Sequence, residues 1–68
     1  MNKYQASTTG NVVSPKQLGA ISAISSKKGI NAEIESLRIY QCKPEELSRL
    51  GGSCFITYLD AQPYHFNA

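Results

Sequence analysis

The chain has 68 residues, with seven lysines and arginines against five acids and a net charge of +2. A chain this short buries only about 60% of the surface its unfolded form exposes, which excludes a second domain and a large enclosed active site. The charge is too small to argue for nucleic acid by itself, and no stretch reaches the roughly 20 apolar residues that a membrane-spanning helix needs.

Residues 1–13 read as a flexible arm. "QASTTGN" is rich in small polar residues and has no period, and Val12 and Val13 pack at its end. The stretch "MNKYQASTTG" holds no apolar run of the kind a signal peptide carries, so a cytoplasmic protein is expected. In that compartment Cys42 and Cys54 are expected as free thiols. Their spacing is not that of a metal-binding pair.

The first helix is predicted over 15–28. Ser14 suits the N-cap and Pro15 the first helical position, where a missing N–H costs nothing. Leu18, Ile21 and Ile24 form an apolar stripe. Lys27 and Lys28 sit at the end the helix dipole makes attractive to cations, and Gly29 is placed to stop the helix. Ile30 folds back on it. A second helix is expected over 31–41, capped by Asn31, with Glu33 and Glu35 at its favourable start. Ile34 and Leu37 are expected to face the core, with Tyr40 or Ile39 completing the stripe. Pro44 disfavours a helical conformation at Lys43, so this helix ends near Gln41.

"KPEEL" fits one short turn at 44–47, and Ser48 caps a third helix over 49–61. Within it "SCFITYL" reads equally as a strand, because Phe, Ile, Thr and Tyr favour sheets. The position of Ser48 and the lack of a partner strand favour helix. Pro63 ends it, and 63–68 form an aromatic tail. The expected fold is all-α: a compact bundle of three main helices and a short turn. Its predicted core is Leu18, Ile21, Ile24, Ile30, Ile34, Leu37, Leu47, Leu50, Ile56 and Leu59.

The stretches "SPKQLGAISAISSKKGI" and "KPEELSRLGGSCFITYLD" resemble a small helical module of phage and bacterial proteins. That module opens with a Thr/Ser-x-Lys-Gln-hydrophobic helix ending in a Lys-Gly-hydrophobic turn. It closes with a Leu-Glu-Glu-Leu-Thr/Ser-Lys segment running into a last helix. The resemblance spans about residues 13–60 and rests on Pro15, Lys16, Gln17, Leu18, Lys28, Gly29, Ile30, Glu45, Glu46, Leu47, Ser48, Arg49, Ser53, Ile56 and Leu59. Such modules are attached to single-strand annealing, single-strand binding and replication proteins, and also stand alone. The resemblance implies handling of DNA and brings no catalytic residue. Gly51, Gly52, Cys54 and Phe55 depart from the pattern.

The chemistry-bearing residues point away from catalysis. "GG" at 51–52 lacks the Lys-Ser/Thr and the preceding strand of a phosphate loop, and is read as a tight packing site or a soft helix start. His65, the one histidine, lies in the tail, where nothing orients it as a base for Cys54. Glu45 and Glu46 are adjacent, and neighbours on a helix diverge. No cofactor and no metal are expected, and the chain is read as a non-enzyme.

Charge is uneven: residues 1–32 carry four lysines and no acid, residues 33–68 five acids against three bases. Lys16 and Lys27 are eleven residues apart, about three helical turns, so they point the same way about 16 Å apart. With Lys28 and Lys3 they make a candidate nucleic-acid-binding set for single-stranded DNA or RNA, weak and salt-sensitive. Phe55, Tyr58, Tyr64 and Phe66 are candidate partner-binding anchors. Phe55 and Tyr58 beside Gly51 and Gly52 would form a homodimer seam. The leading expectation is a module that binds a protein partner; weak binding of single-stranded nucleic acid is the alternative.

Overall fold

The computed structural model describes residues 3–6 and 9–63. Three helices follow in order: α1 (Pro15–Lys28), α2 (Ala32–Tyr40) and α3 (Arg49–Ala61), with 3-10 turns at Thr9–Asn11 and Pro44–Glu46. The all-α bundle expected from the sequence is the fold observed, with helix bounds within a residue of those expected at nearly every end.

The caps explain the bounds. The Ser14 side chain accepts from the Gln17 N–H at 3.1 Å, and the Gln17 side chain accepts in return from the Ser14 N–H at 2.9 Å, a reciprocal box. Gly29 takes the left-handed conformation (φ 71°), and the Ile30 N–H donates back to Ser25 O at 2.8 Å. Asn31 caps α2 by accepting from the Ile34 N–H at 3.1 Å. Ser48 caps α3 by accepting from the Gly51 N–H at 3.0 Å. Gln41 ends α2 at φ 64°, a region that favours glycine.

The core holds Val13, Ile21, Tyr40, Cys42, Leu47, Phe55 and Leu59. An aromatic chain runs through it: the Tyr4 and Tyr40 rings lie 5.3 Å apart, Tyr40 and Phe55 5.6 Å, Phe55 and Tyr58 6.2 Å. Ile21, Leu47 and Leu59 are buried as expected. Leu18, Ile24, Ile30 and Ile56 are partly buried against this core, and three expected core residues are exposed. Ile34, Leu37 and Leu50 are 59%, 45% and 48% exposed. Helix α2 turns Ser36 inward, together with Tyr40, one of the two residues expected to complete its stripe. The Ser36 hydroxyl donates to Cys42 O at 2.7 Å, so a small polar side chain lets the helix lie close to the chain that follows it. Ser36 and Tyr40 are one turn apart, on an arc centred about 110° around the helix from that of Ile34 and Leu37.

The opening residues, expected as a flexible arm, are hydrogen-bonded to residues 46–48 through residues 3–6 and 12–13. Leu47 and Ser48 run extended between two parts of this segment. On one side the Ala6 N–H donates to Glu46 O (2.9 Å) and the Ser48 N–H to Tyr4 O (2.8 Å); on the other the Val13 N–H donates to Leu47 O (2.8 Å). These contacts register as isolated antiparallel bridges, Gln5 with Leu47 and Val12 with Ser48. The Ser48 hydroxyl donates to Lys3 O at 2.7 Å. The composition of the arm gave no sign of this, because its backbone rather than its side chains makes the bonds.

The glycine pair is what lets the segment in. A methyl group at Gly51 would collide with the Tyr4 carbonyl oxygen, and one at Gly52 would fall 2.6 Å from a Val13 methyl. The tight-packing reading of "GG" is the one observed. Gly19, by contrast, meets nothing within 4 Å. Gly51→Ala is therefore expected to lower stability by about 1–3 kcal/mol, because overpacking outweighs better helix propensity. Gly19→Ala, in the exposed part of α1, should raise it by about 0.5–1 kcal/mol. Urea unfolding of the two variants checks the opposite signs.

Candidate functional site

The four candidate lysines do not act as one set. Lys16 and Lys27, in the first and last turns of α1, are exposed. Lys3 is exposed too, with its Nζ 5.4 Å from the centroid of its neighbour Tyr4's ring. Lys28 is 7% exposed and points inward. Its Nζ donates to the backbone carbonyls of Asp60 and Gln62, the latter at 2.6 Å. It serves as a cationic C-cap for α3, satisfying carbonyls that no helical N–H reaches. The expectation that Lys28 belongs to a nucleic-acid grip is thereby corrected: the same direction that lets it cap α3 withdraws it from the surface.

The aromatic set divides in a similar way. Phe55 is fully buried at the centre of the core, so it is no partner-binding anchor. Its burial, together with the seating of Tyr4 and Val13 against Gly51 and Gly52, closes the homodimer seam expected there. Tyr64 and Phe66 lie outside the described residues, as does His65. Tyr58 is half-buried and stacks on Phe55.

The Tyr58 hydroxyl donates to Glu35 Oε1 at 2.8 Å and accepts from Arg38 Nη2 at 3.0 Å, while Arg38 also pairs with Glu35 at 2.7 Å. The triangle ties α2 to α3. Its hydrogen bond to Glu35, then burial, holds the Tyr58 phenol above the ordinary tyrosine range. Hydrogen bonding and charge from Glu35 raise Arg38 further. The i,i+3 spacing of Glu35 and Arg38 was visible in the sequence; the tyrosine that completes the triangle, 20 residues on, was not.

Beside the triangle lies a cleft of about 230 Å³ bounded by Gly29, Ile30, Asn31, Glu35, Tyr58 and Gln62. Its carboxylate and phenol are already engaged with each other. Among the described residues no cluster of His, Cys, Asp or Glu is arranged to hold a metal ion, and no helix is long and apolar enough to cross a membrane. Both cysteines are free thiols.

What remains outward is one face of α2. Ile34 and Leu37 are one turn apart and both exposed, with Glu33 and Arg38 on either side of them. A sequence stripe read as core is thus the wet face of its helix. Against known proteins, the chain matches no protein-family model, no curated protein and no solved structure.

Two outcomes follow from these placements. Lys28→Ala should lower stability by about 1–3 kcal/mol, the usual loss for hydrogen bonds from a charged group. Lys27→Ala, one residue earlier and exposed, should leave it within about 0.5 kcal/mol; thermal melts compare them. Burial pushes the Cys42 thiol above its ordinary range, whereas Cys54 is partly accessible. A thiol reagent at neutral pH should label Cys54 first and reach Cys42 only as the chain unfolds, which mass spectrometry over time resolves.

Proposed function

We propose that the chain is a small non-enzymatic interaction module that binds a protein partner through the outer face of α2. The observation that carries this reading is the pair Ile34 and Leu37, 59% and 45% exposed on neighbouring turns. Single exposed leucines are ordinary, but an apolar pair on one helix face, flanked by charge, is the pattern of a helix-borne contact. A chain with so small a core exposes this pair while burying serines, which argues that the pair serves something other than folding. The resemblance of residues 13–60 to modules attached to recombination and replication proteins extends the reading to a cytoplasmic phage or bacterial protein that works beside a nucleic-acid-handling machine.

A second reading keeps one specific observation behind it. Lys16 and Lys27 are exposed along α1 with half-buried Ala20 and exposed Ala23 between them, so a phosphate backbone has access to both. With Lys28 withdrawn, the set shrinks to Lys16, Lys27 and Lys3. Binding to single-stranded nucleic acid through so few contacts is weak and lost at moderate salt.

The two readings separate experimentally. Leu37→Glu should leave the melting temperature nearly unchanged and abolish retention of the partner that wild type retains from its host. Equal retention by both baits removes α2 from the contact. Fluorescence anisotropy with a labelled single-stranded oligonucleotide at low salt tests the second reading. Binding lost in Lys16→Glu/Lys27→Glu supports it, and no binding by wild type rejects it.

A further inference from the structure

We propose that the partner of the α2 outer face is a second copy of this chain, docked α2 to α2 in parallel; this rests on the reading of that face as a protein contact. The argument comes from where the residues fall around the helix. At about 100° per residue, Leu37 and Ile34 span an arc of about 60°, and Glu33 and Arg38 sit about 40° beyond either edge. Ile34 and Leu37 then stand as a and d of one heptad, with Glu33 at g and Arg38 at e. Isoleucine at a with leucine at d is the combination that favours two parallel strands.

Charge selects the same arrangement. When two identical helices pack in parallel about a two-fold axis, the g flank of one faces the e flank of the other. Glu33 then meets Arg38 of the partner subunit, and the symmetry repeats the pair on the far side. Antiparallel packing on this face would set Glu33 beside its own copy and Arg38 beside its own copy, so like charges oppose it. The face is self-complementary in one orientation alone. Arg38 is held by Glu35 and Tyr58 through Nη2, which fixes its guanidinium at the rim of the face and leaves its other N–H groups for a second carboxylate.

The contact is small. Nine residues of α2 make a rod about 13 Å long, well under what a permanent dimer uses. The dimer is accordingly weak and forms at high protein concentration, in the high micromolar to millimolar range.

The test is an NMR dilution series on the full chain, from about 1 mM downward, with translational diffusion measured alongside. In wild type the diffusion constant should fall as concentration rises, with shift changes confined to the outer face of α2. Glu33→Arg and Arg38→Glu should each abolish dimerisation. An equimolar mixture of the two should restore it, because every g–e contact in the mixed pair is again opposite in charge. If Arg38→Glu fails to fold, Ile34→Asp replaces it as the disrupting variant. A wild type that stays monomeric at about 1 mM, shift changes that map elsewhere, or dimerisation that survives Glu33→Arg would each overturn the inference. A monomeric wild type whose capture of another protein still depends on Leu37 would overturn only the second copy; capture indifferent to Leu37→Glu would overturn the underlying reading as well.

Discussion

One serine side chain holds three parts of this chain together. The Ser48 hydroxyl accepts the Gly51 N–H that starts α3 and donates to Lys3 O in the opening segment, while the Ser48 N–H donates to Tyr4 O. It is fully buried, so each bond forms out of water, where an unmade one would be costly. Around it residues 46–48 lie between residues 4–6 and residue 13, and Gly51 gives the Tyr4 carbonyl the room it needs. The Tyr4 ring then reaches Tyr40 and, through it, Phe55, so the hydrogen-bonded edge and the aromatic core fix each other.

Much of the fold was legible because local signals agree with it. Ser14, Asn31 and Ser48 all cap, Gly29 stops α1, and Pro15 and Pro44 stand where proline costs least. These are short-range effects that act within a turn of the residue concerned. Which face of α2 turns inward was not legible. Periodicity located an apolar stripe at Ile34 and Leu37 but gave no weight to Ser36, which with Tyr40 is the part of the helix that is buried. The docking of the opening segment was hidden for a different reason: its bonds are made by backbone groups, which every residue type has. Lys28 misled because a cation in a last helical turn looks the same in sequence whether it faces water or another helix's carbonyls.

The molecule divides its polar and apolar resources in an unusual way. It buries Ser25, Ser36, Ser48 and the stem of Lys28, and it leaves Ile34, Leu37 and Leu50 in contact with water. Its inward hydroxyls are all satisfied, so their burial costs little. Helix α2 is the hinge of this division. One side anchors through Ser36 and Tyr40, its edge is pinned to α3 by the Glu35–Arg38–Tyr58 triangle, and the side bearing Ile34 and Leu37 faces water.

The bond between Ser48 and Lys3 joins residues 45 positions apart. Helical bundles are quick folders because neighbours in space are neighbours in sequence. Here the last stitch spans most of the chain, so its closure entropy must be met before the stitch returns any energy. On a ribosome, residues 3–6 are made well before α3's cap and cannot close this bond until it follows. A helical domain of this design has the folding rhythm of a β-protein at one edge.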